Sequence, residues 1–223
     1  MKTVDPILQS WNANAANWIT TIDNNDIESR TLVTNEAIVS TLVQYQPQSV
    51  LDIGCGEGWL TRTLQSQSIA AHGIDAIETL IQNAIEKGGP HYTTCSYEDF
   101  LLGQHQLLQG VNAVVFNFSL LDQQHTDNLL FYLAKAMDRG SHVFIQTLHP
   151  ISVAINDTYQ TGWKDGSWNG LKQQFTLPYQ WYFRTLKDWI NLFVSAGFTI
   201  SEIKEPLHPV TKKPASILFV LKL

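Results

Sequence analysis

Short, continuously apolar runs alternate along the chain with longer stretches whose apolar positions recur at helical spacing. The apolar runs predict strands at Ser49–Ile53, Ala70–Ile74 (ending at Asp75), Val111–Phe118 and His142–Leu148, with a weaker one at His91–Cys95. Helices are expected between them at Trp59–Gln67, Ile77–Glu86 and Asp127–Met137. Gly88-Gly89-Pro90 and Gly140 act as stops. Uniformly apolar strands separated by amphipathic helices imply a parallel sheet covered on both faces. The C-terminal part has another rhythm. A helix over Leu186–Ser195 opens with the capping pair Thr185 and Asp188 and closes at Gly197. Two strands then follow without a helix between them, Phe198–Ile203 and Ser216–Lys222, joined through Pro206, Pro209 and Pro214. Such strands pair antiparallel.

The first 46 residues read as an N-terminal helical cap on a single domain spanning 1–223. Asn35–Gln46 has helical spacing and stops at Pro47. Residues 1–30 are polar and helical in part, with Trp11 and Trp18 on one face. These tryptophans either dock the segment on the domain or form a flap over a ligand. Pro150–Arg184 interrupts the alternation. Its 35 residues hold eight of the chain's 24 aromatics, too many for a solvated loop. A small β-hairpin lid is expected, with "KDGSWNG" as turn material.

Composition narrows the function. At 223 residues, 44% hydrophobic and 15% charged, the chain is globular. A net charge of −6 argues against a broad phosphate-binding surface, so no nucleic-acid partner is expected. No apolar leader or membrane-length run is visible, and Cys55 and Cys95 form no CxxC pair, which reads as reduced and cytoplasmic. The histidines show no metal-ligand spacing and the fourth strand ends in Asn117 rather than an acid, so no metal is expected.

"VLDIGCGEGWLTRTL" (residues 50–64) carries the candidate chemistry. Gly54, Gly56 and Gly58 sit where a strand turns into a helix. Bare backbone there lets a ligand approach, and the helix N-terminus offers free amides. A dinucleotide and S-adenosylmethionine both satisfy that description. Asp75 lies 21 residues after Gly54, at the end of the second strand, where a carboxylate can accept from ribose hydroxyls. Both ligands carry a ribose. The spacing is G-x-G-x-G rather than the dinucleotide G-x-G-x-x-G, and Asp52 inside the strand suits an ammonium better than a pyrophosphate.

Taken with "HGIDAIETLIQNA", "CSYEDF", "AVVFNFSLLD" and "INLFVSAGFTISEIKEP", the glycine stretch resembles the ordered motifs of class I S-adenosylmethionine-dependent methyltransferases, nearest to the small-molecule branch. The resemblance covers roughly residues 30–223. It implies a Rossmann-like α/β fold with a seven-stranded sheet ordered 3-2-1-4-5-7-6, strand seven antiparallel, and helices on both faces. It implies S-adenosyl-L-methionine as cofactor. Asp52, Gly54, Cys55, Gly56 and Gly58 would meet its methionine part, and Asp75 and Ala76 its ribose. Ser96, Tyr97 and Glu98 would meet the adenine, with Ser96 standing where relatives carry an acid. Asn117, Phe118 and Ser119 would flank the transferring methyl, and Arg30 would reach the carboxylate.

Methyl transfer is an in-line displacement in which the protein supplies alignment. A neutral hydroxyl acceptor also needs a base. His149, directly after the fifth strand, is the candidate, or else a histidine bonding backbone before Pro150. Asp122, after the fourth strand, is its rival, or else a helix-initiating residue. His125 reads as a surface helix residue. Trp181 and Tyr182 would wall an apolar or ring-bearing small-molecule acceptor, and Arg184 would pair with an acceptor carboxylate. Other readings stay open: transfer to a macromolecule such as tRNA or protein, or a non-catalytic cofactor-binding protein. An NAD-dependent oxidoreductase is the weakest. The acceptor, the atom methylated and the oligomeric state are not legible.

Overall fold

The computed structural model describes residues 5–103, 105–155 and 157–223. Residues 1–4 of the expected cap and residue 156 of the expected lid lie outside the described residues. The strands are β1 (Ser49–Ile53), β2 (Ala70–Asp75), β3 (His91–Thr94), β4 (Ala113–Asn117), β5 (His142–Thr147), β6 (Gly162–Asp165), β7 (Gln180–Phe183), β8 (Thr199–Lys204) and β9 (Ile217–Lys222). Seven of them form one sheet in the order β3-β2-β1-β4-β5-β9-β8. β1 to β5 pair parallel, and β9 runs antiparallel to both β5 and β8. β8 and β9 take the sixth and seventh places because β6 and β7 pair only with each other.

The helices are α1 (Pro6–Asp23), α2 (Asn35–Tyr45), α3 (Trp59–Ser66), α4 (Glu78–Glu86), α5 (Tyr97–Gly103), α6 (Gln124–Ala136), α7 (Pro150–Ala154) and α8 (Leu186–Ala196). The strand pleat sorts the core into two layers. Val114 and Phe116 of β4 face α5, α6 and α8, where Phe100, Leu130 and Phe193 close over them. Ala113 and Val115 face the other way, onto Ile38 and Leu42 of α2 and Leu60 and Leu64 of α3. Each large side chain buried there contributes about 1.5–3 kcal/mol. Asp52 shares the strand side of Val50 rather than of Leu51, so it points into the α2–α3 layer.

Sheet order reverses at β1, with β2 and β4 on either side of it. Open α/β sheets hold ligands beyond the strand ends at that point. Here a roof covers it. Asn14 of α1, fully buried, accepts from the Thr176 N–H at 2.7 Å through Oδ1 and donates through Nδ2 to the Thr176 carbonyl. Ser10 Oγ donates to the Leu177 carbonyl at 2.5 Å, and Asn17 Nδ2 to that of Gln174 at 2.7 Å. Trp11 meets Trp18 and Trp168 edge-on, each at 5.1 Å, and Trp168 stacks on Phe175 at 4.6 Å. The hairpin β6–β7 is joined by residues 166–179 rather than by a tight turn, and this connection docks on α1.

Asn14→Ala should leave both Thr176 backbone groups without their partner, a local cost of about 1–3 kcal/mol. Hydrogen exchange at the Thr176 amide should then speed up by about tenfold or more. Unchanged protection at Thr176 would mean the roof is held by its aromatic contacts alone.

Candidate active site

The glycine loop is pinned first. The Gly54 and Cys55 amides both donate to the Ile74 carbonyl, at 2.8 and 3.0 Å, so the chain turns sharply off β1 against the end of β2. The three glycines serve different ends. A Cβ on Gly54 would lie 2.4 Å from that of Ser119, and one on Gly58 would lie 2.6 Å from the Tyr92 ring. Both are bare so that protein can pack. A Cβ on Gly56 would meet nothing nearer than Trp18 Nε1 at 3.9 Å, although its φ of +59° already disfavours a side chain. Gly56 is therefore bare toward open space.

Three carboxylates crowd this turn. Asp75 accepts from the Gly56 amide through Oδ2 and from the Ile77 amide through Oδ1, each at 2.9 Å. Burial raises its pKa, and these amides oppose the rise. Asp52 is 1% exposed, and its Oδ1 has no hydrogen-bond partner among the described residues. Burial pushes it up to about 8, and Asp75 and Glu57 add to the push. Glu57 is equally buried. Its Oε2 pairs with Arg62 and Lys87, while its Oε1 is unpartnered among the described residues. Arg30 stands beyond them at a wide π turn (Arg30–Thr34) that leads into α2. Its guanidinium lies over the Trp18 and Trp59 rings, at 5.8 and 5.1 Å, and burial lowers its pKa to about 10.

A cavity of about 530 Å³ lies between loop and roof. Arg30, Gly54, Cys55, Gly56, Asp75, Ala76, Ser96, Tyr97, Glu98, Asn117, Phe118 and Ser119 all line it, as does Trp181. Ser96 has a second task the sequence reading missed. Its hydroxyl donates to Asp99 Oδ2 at 2.6 Å and accepts from the Asp99 amide at 3.1 Å, capping α5. The S-x-x-D spacing is the signal that could have shown it. Tyr97 OH donates to the Ser119 carbonyl and Ser119 Oγ to that of Ile53, tying α5 and β4 to β1. Phe118 takes a φ of +58°, a strained conformation for an aromatic residue, at the end of β4.

Five sequence candidates are not in the cavity wall. Asp52 and Gly58 sit behind the loop. His149 is 2% exposed, with Nδ1 accepting from the Ile151 amide at 3.2 Å and Nε2 bonded to Glu205 Oε1 at 2.7 Å. Both ring nitrogens are engaged, so His149 caps α7 and offers no free base. Arg184 is buried against Asp127 at 2.7 Å and the Gln123 carbonyl at 3.0 Å, and its guanidinium covers the Tyr182 and Trp189 rings. Its charge is spent inside the protein rather than on an acceptor carboxylate. Tyr182 packs between Arg184 and Trp163. The residues that do reach the cavity instead are Asp122, His125, Trp168 and Tyr179, with Trp11 and Trp18 from α1. Those two tryptophans dock the segment on residues 168–179, and they also line the cavity.

Among the described residues, no helix is long and apolar enough to cross a membrane, and no three His, Cys, Asp or Glu side chains group as metal ligands.

Solved structures share the architecture. An S-adenosylmethionine-dependent methyltransferase from Mesorhizobium loti is 18% identical over 82% of this chain and 96% of its own, with a TM-score of 0.60. Another from Clostridium acetobutylicum is 12% identical over 93% and 97%, with a TM-score of 0.64. Magnesium protoporphyrin IX methyltransferase from Synechocystis PCC 6803, with bound SAH, is 16% identical over 98% and 99%, also at 0.64. At such identities the likeness speaks to the fold. No curated protein sequence matches the chain. A family profile described as methyltransferase domain matches residues 31–203, most of the chain and all of the glycine loop, Asp75 and β4. With that match and this fold, the chain belongs to the methyltransferase-domain family.

Proposed function

We propose that the chain binds S-adenosyl-L-methionine in the roofed cavity and transfers its methyl group to a small, apolar or ring-bearing acceptor. The observation that carries this reading is the open space over Gly56. It is bounded by Asp75 on one side, by Arg30 on another, and by tryptophans above. Asp75 spends one lone pair of each oxygen on an amide and keeps the others for ribose hydroxyls. Arg30, fixed by its two tryptophans, would hold the methionine carboxylate. Its ammonium would bring positive charge to the cavity side of this turn, with the carboxyl of Asp52 buried behind the loop. With the Ser96 hydroxyl committed to Asp99, the adenine would meet the Ser96 backbone, Tyr97 and Glu98.

When bound, the cofactor supplies a methyl group on a sulfonium. The chain's own residues supply a dry, fixed site. Charge is neutralised as the methyl moves, so excluding water favours transfer. Residues 1–46 act in this reading as the cap, and residues 150–184 as the lid over the acceptor. Trp168, Tyr179 and Trp181 supply that lid's cavity face. The roof's bonds to α1 keep the cavity under cover, which suits a small acceptor better than a polymer.

Gly56→Val fills the open space, and Asp75→Ala removes two acceptor oxygens worth roughly 1.5–3 kcal/mol each. Each should weaken S-adenosylhomocysteine by at least tenfold in calorimetry. Full affinity in either variant would remove that residue from the cofactor site. Trp181→Ala should raise the acceptor KM while leaving cofactor affinity near its starting value.

Asp52 makes a pH prediction for the free chain. Its folded pKa is raised, so between the ordinary carboxylate range and about 8 the folded state keeps a proton that the unfolded state has released. Stability is therefore highest at low pH on this account and falls as pH rises through that window. Asp52→Asn should flatten the fall in Tm between about pH 5 and pH 9 and weaken S-adenosylhomocysteine. An unchanged slope would mean the carboxyl is not desolvated as described.

A further inference from the structure

Past the ends of β4 and β5 the cavity wall is Phe118, Leu121, Leu148 and Trp181, and its titratable side chains there are Asp122 and His125. Asp122 begins α6: Oδ1 accepts from the His125 amide at 2.5 Å, and its carbonyl accepts from Thr126 Oγ1 at 2.5 Å. That same Oδ1 lies 3.2 Å from His125 Nδ1. The cap thus fixes the backbone and the ring of one residue together. His125 is about one-third exposed, and its Nε2 carries no hydrogen bond among the described residues. From the neighbouring elements, Arg184 faces the pair, donating to the Asp122 and Gln123 carbonyls and to the Asp127 carboxylate. A fixed cation on its backbone keeps Asp122 in place without touching its carboxylate.

We propose that His125, oriented by Asp122, takes the proton from a neutral hydroxyl acceptor during methyl transfer. This rests on the function proposed above. With a proton on Nδ1, directed at the carboxylate, the Nε2 lone pair is free for the cavity. As the oxygen–carbon bond forms and the carbon–sulfur bond breaks, the electron pair of the latter leaves with sulfur. The hydroxyl proton passes to Nε2, and the resulting imidazolium stands beside the Asp122 carboxylate. Asp122 is a positioning residue and His125 the catalytic one. The acceptor it serves is a neutral hydroxyl, because among the described residues no cation of this part of the wall is free to hold a carboxylate or phosphate.

The test uses the full chain, ¹⁵N-labelled, with S-adenosylhomocysteine bound. The His125→Gln spectrum identifies the His125 ring among the seven histidines. In the wild type, the neutral ring should carry its proton on Nδ1. Asp122→Asn keeps the helix cap, since Asn caps as well as Asp. The same Oδ1 then still accepts from the ring Nδ1–H, so the Nδ1 tautomer should persist, but without the negative charge that steadies the imidazolium, and phenol methylation should slow. A wild-type ring protonated on Nε2, or phenol methylation at the full rate in Asp122→Asn, overturns the proposal. Transfer to two probes, phenol and thiophenol, gives the second readout. His125→Gln should slow phenol methylation by about 10²–10⁴-fold and abolish the acid limb of its pH–rate profile. Thiophenol, already ionised at neutral pH, should be methylated at close to the original rate. Equal loss with both probes, or no loss with phenol, overturns the proposal. A wild-type chain that binds no S-adenosylhomocysteine overturns the cofactor reading. A wild-type chain that binds it but methylates neither probe overturns the ring-bearing acceptor, and the tautomer result then decides the pair.

Discussion

Negative charge packed into the first turn after β1 is the constraint around which the site is organised. Asp52, Glu57 and Asp75 are all buried or nearly so, and two of them carry an oxygen without a partner among the described residues. Burying carboxylates so close together costs several kcal/mol unless donors or cations answer them. The fold answers in part. Amides of Gly56 and Ile77 serve Asp75, and Arg62 and Lys87 serve Glu57. Asp52 is left to shed its charge, which is why burial pushes it up to about 8. A ligand bringing positive charge to this turn would relieve what the chain alone does not. Stability surrendered in the free protein then becomes affinity in the complex, the exchange expected where a site is built against the interest of the fold.

How much of this was legible depended on how local each signal was. The inner parallel strands were, because a strand covered on both faces is built of apolar residues, as Ala113–Phe116 of β4 is. The glycine loop and Asp75 were, because turn, strand end and spacing all lie within 22 residues. The separate roles of the glycines were not. Ser119 and Tyr92, which decide that Gly54 and Gly58 must be bare, arrive from distant strands. The roof was half legible. Trp11 and Trp18 declared a face but not a partner, since Asn14 and Thr176 are 162 positions apart. No local pattern announces such a pair.

The two histidines show the limit most clearly. Each follows a strand at the carboxyl edge of the sheet, where candidates for catalysis lie. His149 precedes Pro150, and proline at the first position of a helix makes the residue before it a cap. That turns its ring back onto the Ile151 amide, and Glu205 from the distant C-terminal loop takes the other nitrogen. His125 stands three residues after Asp122, a capping distance, yet its ring reaches the same carboxylate and the cavity. Chain position named the edge. Side-chain direction, set by the first turn of each helix, chose between them.

Roof and floor are held by different forces, and this bears on how the site could work. The floor is sheet and buried apolar packing, with Val115 and Phe116 fully enclosed. The roof is a helix and a long connection joined by a few polar bonds, Asn14 to Thr176 and Ser10 to Leu177, over a layer of aromatic rings. Few bonds of this kind cost little to open and reform, whereas the sheet opens only with the whole domain. On the function proposed above, the seam between α1 and residues 167–181 is where cofactor and acceptor would enter. The rings at that seam have two faces' worth of contact, one to each other and one to the cavity. A ring-bearing acceptor slotted among them would extend the aromatic layer inward, so the same contacts that close the roof would select what lies beneath it.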